Sequence, residues 1–422
     1  MTRLLALLAA LLLHAAGAQA QTAWPAYIHS LRPDLSQSPV AAVLPADVQI
    51  TPPGPEVPAA AARWGGSWSG WACAGQACDV RVAVERIGPD GATLVYASAS
   101  ATGSTIHRGE AQFVGEELHL RLPTGARLAL RLRVDGDMEL SVWRPDAQLR
   151  AAGVLTKRPL ALRTVERLAT PWSHDGQAVS LVLVVYRPPG PPGPWPTLVV
   201  NHGSTGTGHR PELFGHVFTS PDLVRHFTAQ GWQVILPQRR GRGGSGGLYD
   251  EGFLPDRSRY SCDPLHSLPG FERALEDLQL VMQHVVERPD VDAKRVLLSG
   301  VSRGGILATA YAGQHPQQVR GVINFVGGWM GDRCPRVDLI NPVLFRRGAA
   351  FPAPTLWLYG SRDPLMSLSH SRSNHEAFRS AGGQGRFVAY DLPEGQNGHH
   401  IAGRPDLWQV DVQTYLGELF KP

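Results

Sequence analysis

One stretch limits what this chain can fold into more than any other: Arg295 to Gln314, RVLLSGVSRGGILATAYAGQ. Val296-Leu297-Leu298-Ser299 is a short apolar run of the kind that forms a buried strand. From Gly305 to Gln314, Ile306, Leu307, Ala310 and Tyr311 fall on one helical face. Between them Gly300-Val301-Ser302-Arg303-Gly304 matches G-x-S-x-G, in the strand–turn–helix setting that turns the pattern into a nucleophile elbow. The glycines are a steric need, because a side chain at 300 or 304 would strike the neighbouring strand or helix. The helix N-terminus would then lie beneath the Ser302 hydroxyl and favour a developing anion.

The pattern occurs twice. Gly243-Gly244-Ser245-Gly246-Gly247 follows a strand-like run, Gln233 to Leu236, but no helical periodicity follows it. Ser245 therefore reads as a flexible loop residue and Ser302 as the nucleophile. A serine hydroxyl needs a base, the base needs an orienting carboxylate, and the oxyanion needs fixed donors. Asp363, in LYGSRDP directly after an apolar strand, is the acid candidate, with Asp332 as runner-up. The base lies in Gly395-Gln396-Asn397-Gly398-His399-His400, and the Gly-His step favours His399 over His400. The Arg303 amide is one oxyanion donor. The second is expected from the Ser204 amide, in His202-Gly203-Ser204 after the strand Thr197–Asn201.

Strands alternate with helices through the second part of the chain. Thr164–Leu168 and Val179–Tyr186 flank Asp175-Gly176, a hairpin signal. Strands follow at Thr197–Asn201, Val234–Leu236, Val296–Ser299, Val322–Val326, Thr355–Tyr359 and Phe387–Tyr390, with helices at Glu272–Val286, Ser367–Ser380 and Asp406–Leu419. That order predicts a mostly parallel, doubly wound sheet covered on both faces. Residues 63–156 differ. Val80, Val82 and Val84, then Leu118, Leu120 and Leu122, then Leu128, Leu130 and Leu132 alternate with polar or small residues between turn signals. This predicts a small all-β sandwich or barrel. Trp64, Trp68, Trp71 and Trp143 are expected to pack in its core or rim, or else to stack on a flat ligand. Residues 21–62, rich in Pro and Ala, read as an extended, poorly ordered linker.

The N-terminus has the form of an export signal: Arg3, an apolar run Leu4–Leu13, and Ala18-Gln19-Ala20 at a cleavage position, so residues 1–20 would be removed. The run is too short to anchor the chain in a membrane. Export makes disulfides reasonable for the four cysteines, and the favoured pairing is Cys73–Cys78 with Cys262–Cys334. No paired CxxC or HExxH indicates a metal, and GSTGTG (203–208) lacks the rest of a phosphate-binding motif, so neither metal nor cofactor is expected. A formal charge of +4 spread over 422 residues argues against nucleic acid.

From about residue 160 to 422 the motifs NHG, GVSRGG, GSRDP and the Gly-His loop resemble the α/β-hydrolase superfamily, in its dienelactone hydrolase and prolyl oligopeptidase-like branch. The resemblance implies an α/β-hydrolase fold and a Ser302–His399–Asp363 serine hydrolase. It departs from dienelactone hydrolases proper, which usually carry a cysteine where this chain has Ser302. QRRGRGGSG (238–246) is similar to a loop of X-Pro dipeptidyl peptidases and cocaine esterases, without the preceding aspartate. Arg239, Arg240 and Arg242 are candidates to receive a substrate carboxylate, with pairing to structural acids or solvent as the alternative. With His202, Arg239 and Arg240 form the candidate substrate-binding set. The insert Leu248–Pro269, with Tyr249, Phe253 and Tyr260, is expected to form a wall or lid. The expected substrate is a small ester or a short peptide. A peptidase, a non-catalytic binding protein on the same fold, and a binding role for the β domain stay open.

Overall fold

Period-two alternation between Trp64 and Thr156 resolves into a closed antiparallel barrel. The computed structural model describes residues 30–31, 41–71, 79–100, 103–146 and 149–421. The barrel strands are β1 (Gly66–Trp71), β2 (Asp79–Ile87), β3 (Gly91–Ser100), β4 (Gly103–Val114), β5 (Glu117–Arg121), β6 (Arg127–Leu132), β7 (Met138–Trp143) and β8 (Leu149–Thr156). Closure comes from β8 pairing back onto β1, Ser69 opposite Thr156 and Trp71 opposite Val154. No edge is left unpaired, which decides between the two expected forms. The alternating valines and leucines fill the interior with Trp68, whose ring N–H donates to Trp64 O at 2.9 Å. At about 1.5–3 kcal/mol per fully buried aliphatic side chain, this interior is what holds the barrel together.

Residues 41–58 are not a loose linker. The Ala42 amide donates to Asp79 at 2.8 Å, Arg108 holds both Asp47 and Glu85, and Val57 joins the barrel core. Proline content hid this strap, because prolines also suit an extended strip laid on a barrel wall. The export segment and the Cys73–Cys78 pairing lie outside the described residues.

The second unit is one eight-stranded sheet: β9 (Leu162–His174), β10 (Gln177–Arg187), β11 (Trp195–Asn201), β12 (Gln233–Gln238), β13 (Val291–Val301), β14 (Gly321–Phe325), β15 (Thr355–Gly360) and β16 (Gly385–Tyr390). The spatial order is β9-β10-β12-β11-β13-β14-β15-β16. The hairpin β9–β10 turns at Asp175 (φ 48°) and Gly176 (φ 73°), as Asp-Gly predicts. β10 pairs antiparallel with β12, and every pairing from β12 to β16 is parallel. The parallel strands are continuous apolar runs because helices cover both faces.

Those helices are α1 (Pro221–Thr228), α2 (Pro264–Glu287), α3 (Arg303–Gln314), α4 (Asn341–Arg346), α5 (Leu368–Ser380) and α6 (Pro405–Leu419). α2 starts eight residues before the expected Glu272. Asp263 caps it by accepting from the Leu265 amide at 3.0 Å, and Pro264 occupies the first turn, where no N–H is needed. No helix among the described residues is long and apolar enough to cross a membrane.

The barrel docks on the sheet unit through charge. Arg133 reaches Asp222 of α1 at 2.8 Å, and Arg225 of α1 reaches Asp137 at 2.8 Å, all four groups buried. Beside them Trp71 lies 5.5 Å from Tyr186 of β10.

Candidate active site

The elbow forms as the sequence dictates. Ser302 sits between β13 and α3 at φ 57°, ψ −120°, a conformation that L-residues rarely adopt. Its amide is held by Phe325 O at 2.9 Å. A Cβ on Gly304 would strike the Asn201 carbonyl, and one on Gly300 would strike the Gly304 backbone. Only glycine lets the turn pass this close.

The acid and base loops leave the same edge of the sheet. Asp363 follows β15, and its Oδ1 accepts from the Leu365 and Met366 amides at 2.8 and 2.9 Å. That fixes the carboxylate and aims Oδ2 at His399 Nδ1, 2.8 Å away. The Asp363 side chain is wholly buried, whereas the His399 side chain keeps 12% exposure, so the pair has a sealed end and an open end. The two loops are clamped together. Arg362 Nε donates to Leu392 O at 3.0 Å, and Ser361 Oγ receives the Leu392 amide at 2.8 Å. The runner-up Asp332 instead accepts from the Ser367 amide at 3.1 Å. Burial holds the His400 imidazole below its ordinary pKa, aided by the neighbouring His399.

Gly203 stands against Ser302: a Cβ there would lie 3.8 Å from Ser302 Oγ. The Ser204 amide follows it, and the Arg303 amide opens α3, where first-turn N–H groups have no partner within the helix.

The expected substrate-binding residues are placed otherwise. His202 is fully buried, with Nε2 accepting from the Arg239 amide at 3.1 Å and Nδ1 donating to Gly203 O at 2.8 Å. Burial, then the Arg239 and Arg242 charges, push its pKa well down and keep it neutral. Arg239 pairs with Glu251 at 2.5 Å and donates to His202 O at 2.9 Å. Arg240 pairs with Asp277, reaches Glu276 at 2.9 Å and lies over the Trp172 ring. All three side chains are committed inside the fold, so none is available to a substrate. Ser245 is also buried rather than flexible. Its hydroxyl donates to Gln238 O at 2.6 Å and accepts from the Val182 amide at 2.8 Å, so the second G-x-S-x-G is a structural turn.

The aromatic rings of the insert, Tyr249, Phe253 and Tyr260, are buried in the core of the sheet unit. The Tyr260 hydroxyl meets Thr205 Oγ1 at 3.1 Å and the Tyr249 hydroxyl at 2.7 Å, and Tyr249 donates to Glu251 at 3.0 Å. The Arg303 guanidinium lies between the rings of Tyr260 (3.7 Å) and Trp329 (4.3 Å) and donates to Glu251 O at 2.8 Å. A disulfide joins Cys262 to Cys334, Cα atoms 5.5 Å apart, and ties the insert to the loop after β14. Glu251 and Asp277 were not singled out from the sequence. Asp277 was accessible to it: it sits among Ala274, Leu278 and Val281 on the apolar stripe of α2, where a carboxylate must have a partner. Burial pushes the Asp277 pKa up to about 6 against the pull of Arg240.

Comparison with known proteins agrees with this architecture. The family model described as serine aminopeptidase, S33, matches residues 213–331, a span with Ser302 but without Asp363 or His399. Two curated relatives, both provisionally named carboxymethylenebutenolidase, are those of Yersinia pestis (24% identity, 56% of this chain, 80% of that protein) and Methylorubrum extorquens (27%, 53% and 70%). Among solved structures, an esterase from Pyrococcus furiosus aligns with TM-score 0.42 and 15% identity over 61% of this chain and 90% of its own. An acetyl xylan esterase from Paenibacillus sp. R4 aligns with TM-score 0.41 and 16% identity over 70% and 89%. The structural likenesses add nothing to what the chain's own strand order and elbow already establish. With that strand order, that elbow and these relatives, the chain is a hydrolase of the α/β-hydrolase superfamily.

Proposed function

We propose that the chain is an exported carboxylic-ester hydrolase working through an acyl-enzyme. The observation that carries the proposal is the 2.8 Å bond from His399 Nδ1 to a buried, doubly anchored Asp363, on the sheet edge where the elbow presents Ser302. His399 Nε2 takes the Ser302 proton as Oγ attacks the ester carbonyl. Asp363 holds the imidazole tautomer and stabilises the imidazolium. The amides of Arg303 and Ser204 receive the oxyanion, each worth roughly 100- to 1000-fold in rate. The imidazolium protonates the departing alcohol, and a water deprotonated by His399 then releases the acid. The relatives named for butenolide hydrolysis support an ester substrate. Export rests on the pattern of residues 1–20, and cell fractionation tests it: retention of the uncleaved chain in the cytoplasm would end that part of the proposal.

The family model's description favours a second reading, an aminopeptidase. Such an enzyme needs a carboxylate free to receive a substrate ammonium. Glu251, the buried carboxylate that the Arg303 side chain reaches at 3.4 Å, is already engaged by Arg239 and Tyr249. Turnover of p-nitrophenyl esters and aminoacyl anilides, with fluorophosphonate labelling of the wild type and Ser302→Ala, separates the readings. Ester turnover with label on the wild type alone is expected. Faster anilide turnover would favour the peptidase, and a labelled Ser302→Ala variant would remove Ser302 as nucleophile.

A further inference from the structure

The outer wall of the barrel carries a groove of about 470 Å³ with an unusual charge arrangement. Arg121 of β5 stands directly opposite Arg127 of β6, and Arg127 directly opposite Trp143 of β7. Arg144, His119 and Gln112 complete this side of the groove. Like charges directly opposed across two strands destabilise a sheet. Other barrel arginines are neutralised, Arg81 by Asp79, Arg108 by Asp47 and Glu85, and Arg131 by Glu139, while Arg86 rests on the Thr93 hydroxyl. Among the described residues no carboxylate pairs with Arg121, Arg127 or Arg144. Glu110, the acid lining the groove, is engaged with the Thr93 hydroxyl at 2.9 Å. Trp143 is half-buried, its ring N–H fixed by Ser141 Oγ at 2.8 Å and the Arg127 guanidinium 5.7 Å from its ring centre.

We propose that this groove binds an acidic polysaccharide. The opposed guanidinium groups of Arg121 and Arg127 would take the carboxylate of a uronate or a sulfate ester, both planar or oxygen-rich anions that suit arginine's fork of donors. The Trp143 ring, held rigid by Ser141, offers a flat apolar face for the adjacent sugar ring. An anion between the two arginines also removes their mutual repulsion, so binding relieves a cost that the free barrel carries. The barrel then tethers the enzyme to an acidic polymer while the sheet domain works independently of it. The inference does not rest on the chemistry of Ser302.

Native gel electrophoresis of the full chain through polygalacturonate, dextran sulfate or neutral xylan tests this, with duplex DNA as a polyanion lacking exposed acidic sugars. Retardation by polygalacturonate or dextran sulfate is expected, the stronger of the two identifying the carboxylate or the sulfate as the anion. Arg121→Ala/Arg127→Ala should weaken it by about tenfold, as loss of two exposed charge contacts allows, with p-nitrophenyl acetate turnover unchanged. Trp143→Phe should weaken it less and act on both acidic polymers alike. No retardation at low salt, equal retardation by xylan, equal retention on DNA, or full retention in the double arginine variant would each overturn the proposal.

Discussion

Glu251→Gln tests the packing beneath the site more sharply than any catalytic variant. The Glu251 carboxylate is buried and meets Arg239 at 2.5 Å, Arg303 at 3.4 Å and the Tyr249 hydroxyl at 3.0 Å. Glutamine keeps the volume, so no cavity contributes. It removes the charge and leaves two buried guanidinium groups without their counter-ion. Breaking a buried ion pair in this way costs about 3–5 kcal/mol. For a domain of this size each kcal/mol lowers Tm by about 2–4 °C, so the variant should melt about 6–20 °C lower.

The same variant has a predictable pH signature. Burial pushes the Glu251 pKa up, but the charges of Arg239 and Arg303 and the Arg239 hydrogen bond carry it below the usual carboxylate value. A folded-state pKa below the unfolded one makes the contribution full above about pH 4.3 and lost as pH falls through the folded value. The Tm gap between wild type and variant should therefore be constant from pH 7 to 5 and shrink below about pH 4. Scanning calorimetry across that range is the assay. A shift under about 2 °C at pH 7, well short of what a buried pair should give, would refute the assignment of Glu251 as the counter-ion. A gap that does not change between pH 5 and 3 would refute the electrostatic origin.

Three further outcomes follow from the same geometry. Asp363→Asn should lower kcat by about 10³–10⁴-fold with little change in KM, because the amide supports the wrong imidazole tautomer; steady-state kinetics on a p-nitrophenyl ester checks it. His399→Gln should abolish fluorophosphonate labelling, whereas His400→Gln should keep it, and the reverse result would exchange their roles. Ser245→Ala should keep both labelling and turnover while losing about 1–3 kcal/mol in denaturant unfolding, since the buried Val182 amide loses its acceptor.

What the sequence disclosed divides along a physical line. Patterns carried by near neighbours were legible: the strand–turn–helix around Ser302, the Asp175-Gly176 hairpin, and the period-two strands of the barrel. The Cys262–Cys334 disulfide was legible too, because both cysteines follow sheet strands whose loops leave one edge. Short or proline-bearing pieces were not. α1 has only eight residues, too few for a helical period to stand out, and it buries Asp222 and Arg225 beside its apolar residues. The first turns of α2 carry Pro264 and Pro269, which read as breakers. The arginines after β12 take the alternative role of pairing with structural acids, and the sequence could not select it for a different reason. Charge on a loop reads as solvent-facing until its partners are known, and those partners lie far off: Glu251 is twelve residues from Arg239, and Asp277 is thirty-seven from Arg240.

The arginines still bear on the site, through the bonds of Arg239 to the His202 carbonyl and of Arg242 to the Gly203 carbonyl. Arg239, Arg242 and Arg303 are buried around a single carboxylate, Glu251, so positive charge is in surplus beneath the Gly203–Thr205 loop and the start of α3. Its effect is already seen in His202, whose neutrality owes something to Arg239 and Arg242. An excess of fixed cations in a poorly screened interior lowers the energy of any negative charge formed nearby. The α3 N-terminus adds to the same field. The Tyr260 and Tyr249 hydroxyls couple this cluster to Thr205, beside one proposed oxyanion donor, while the Arg303 backbone supplies the other. If Ser302 attacks as proposed, the cluster acts on the resulting oxyanion through its field and through the loop it holds, with none of the three guanidinium groups offered to the substrate.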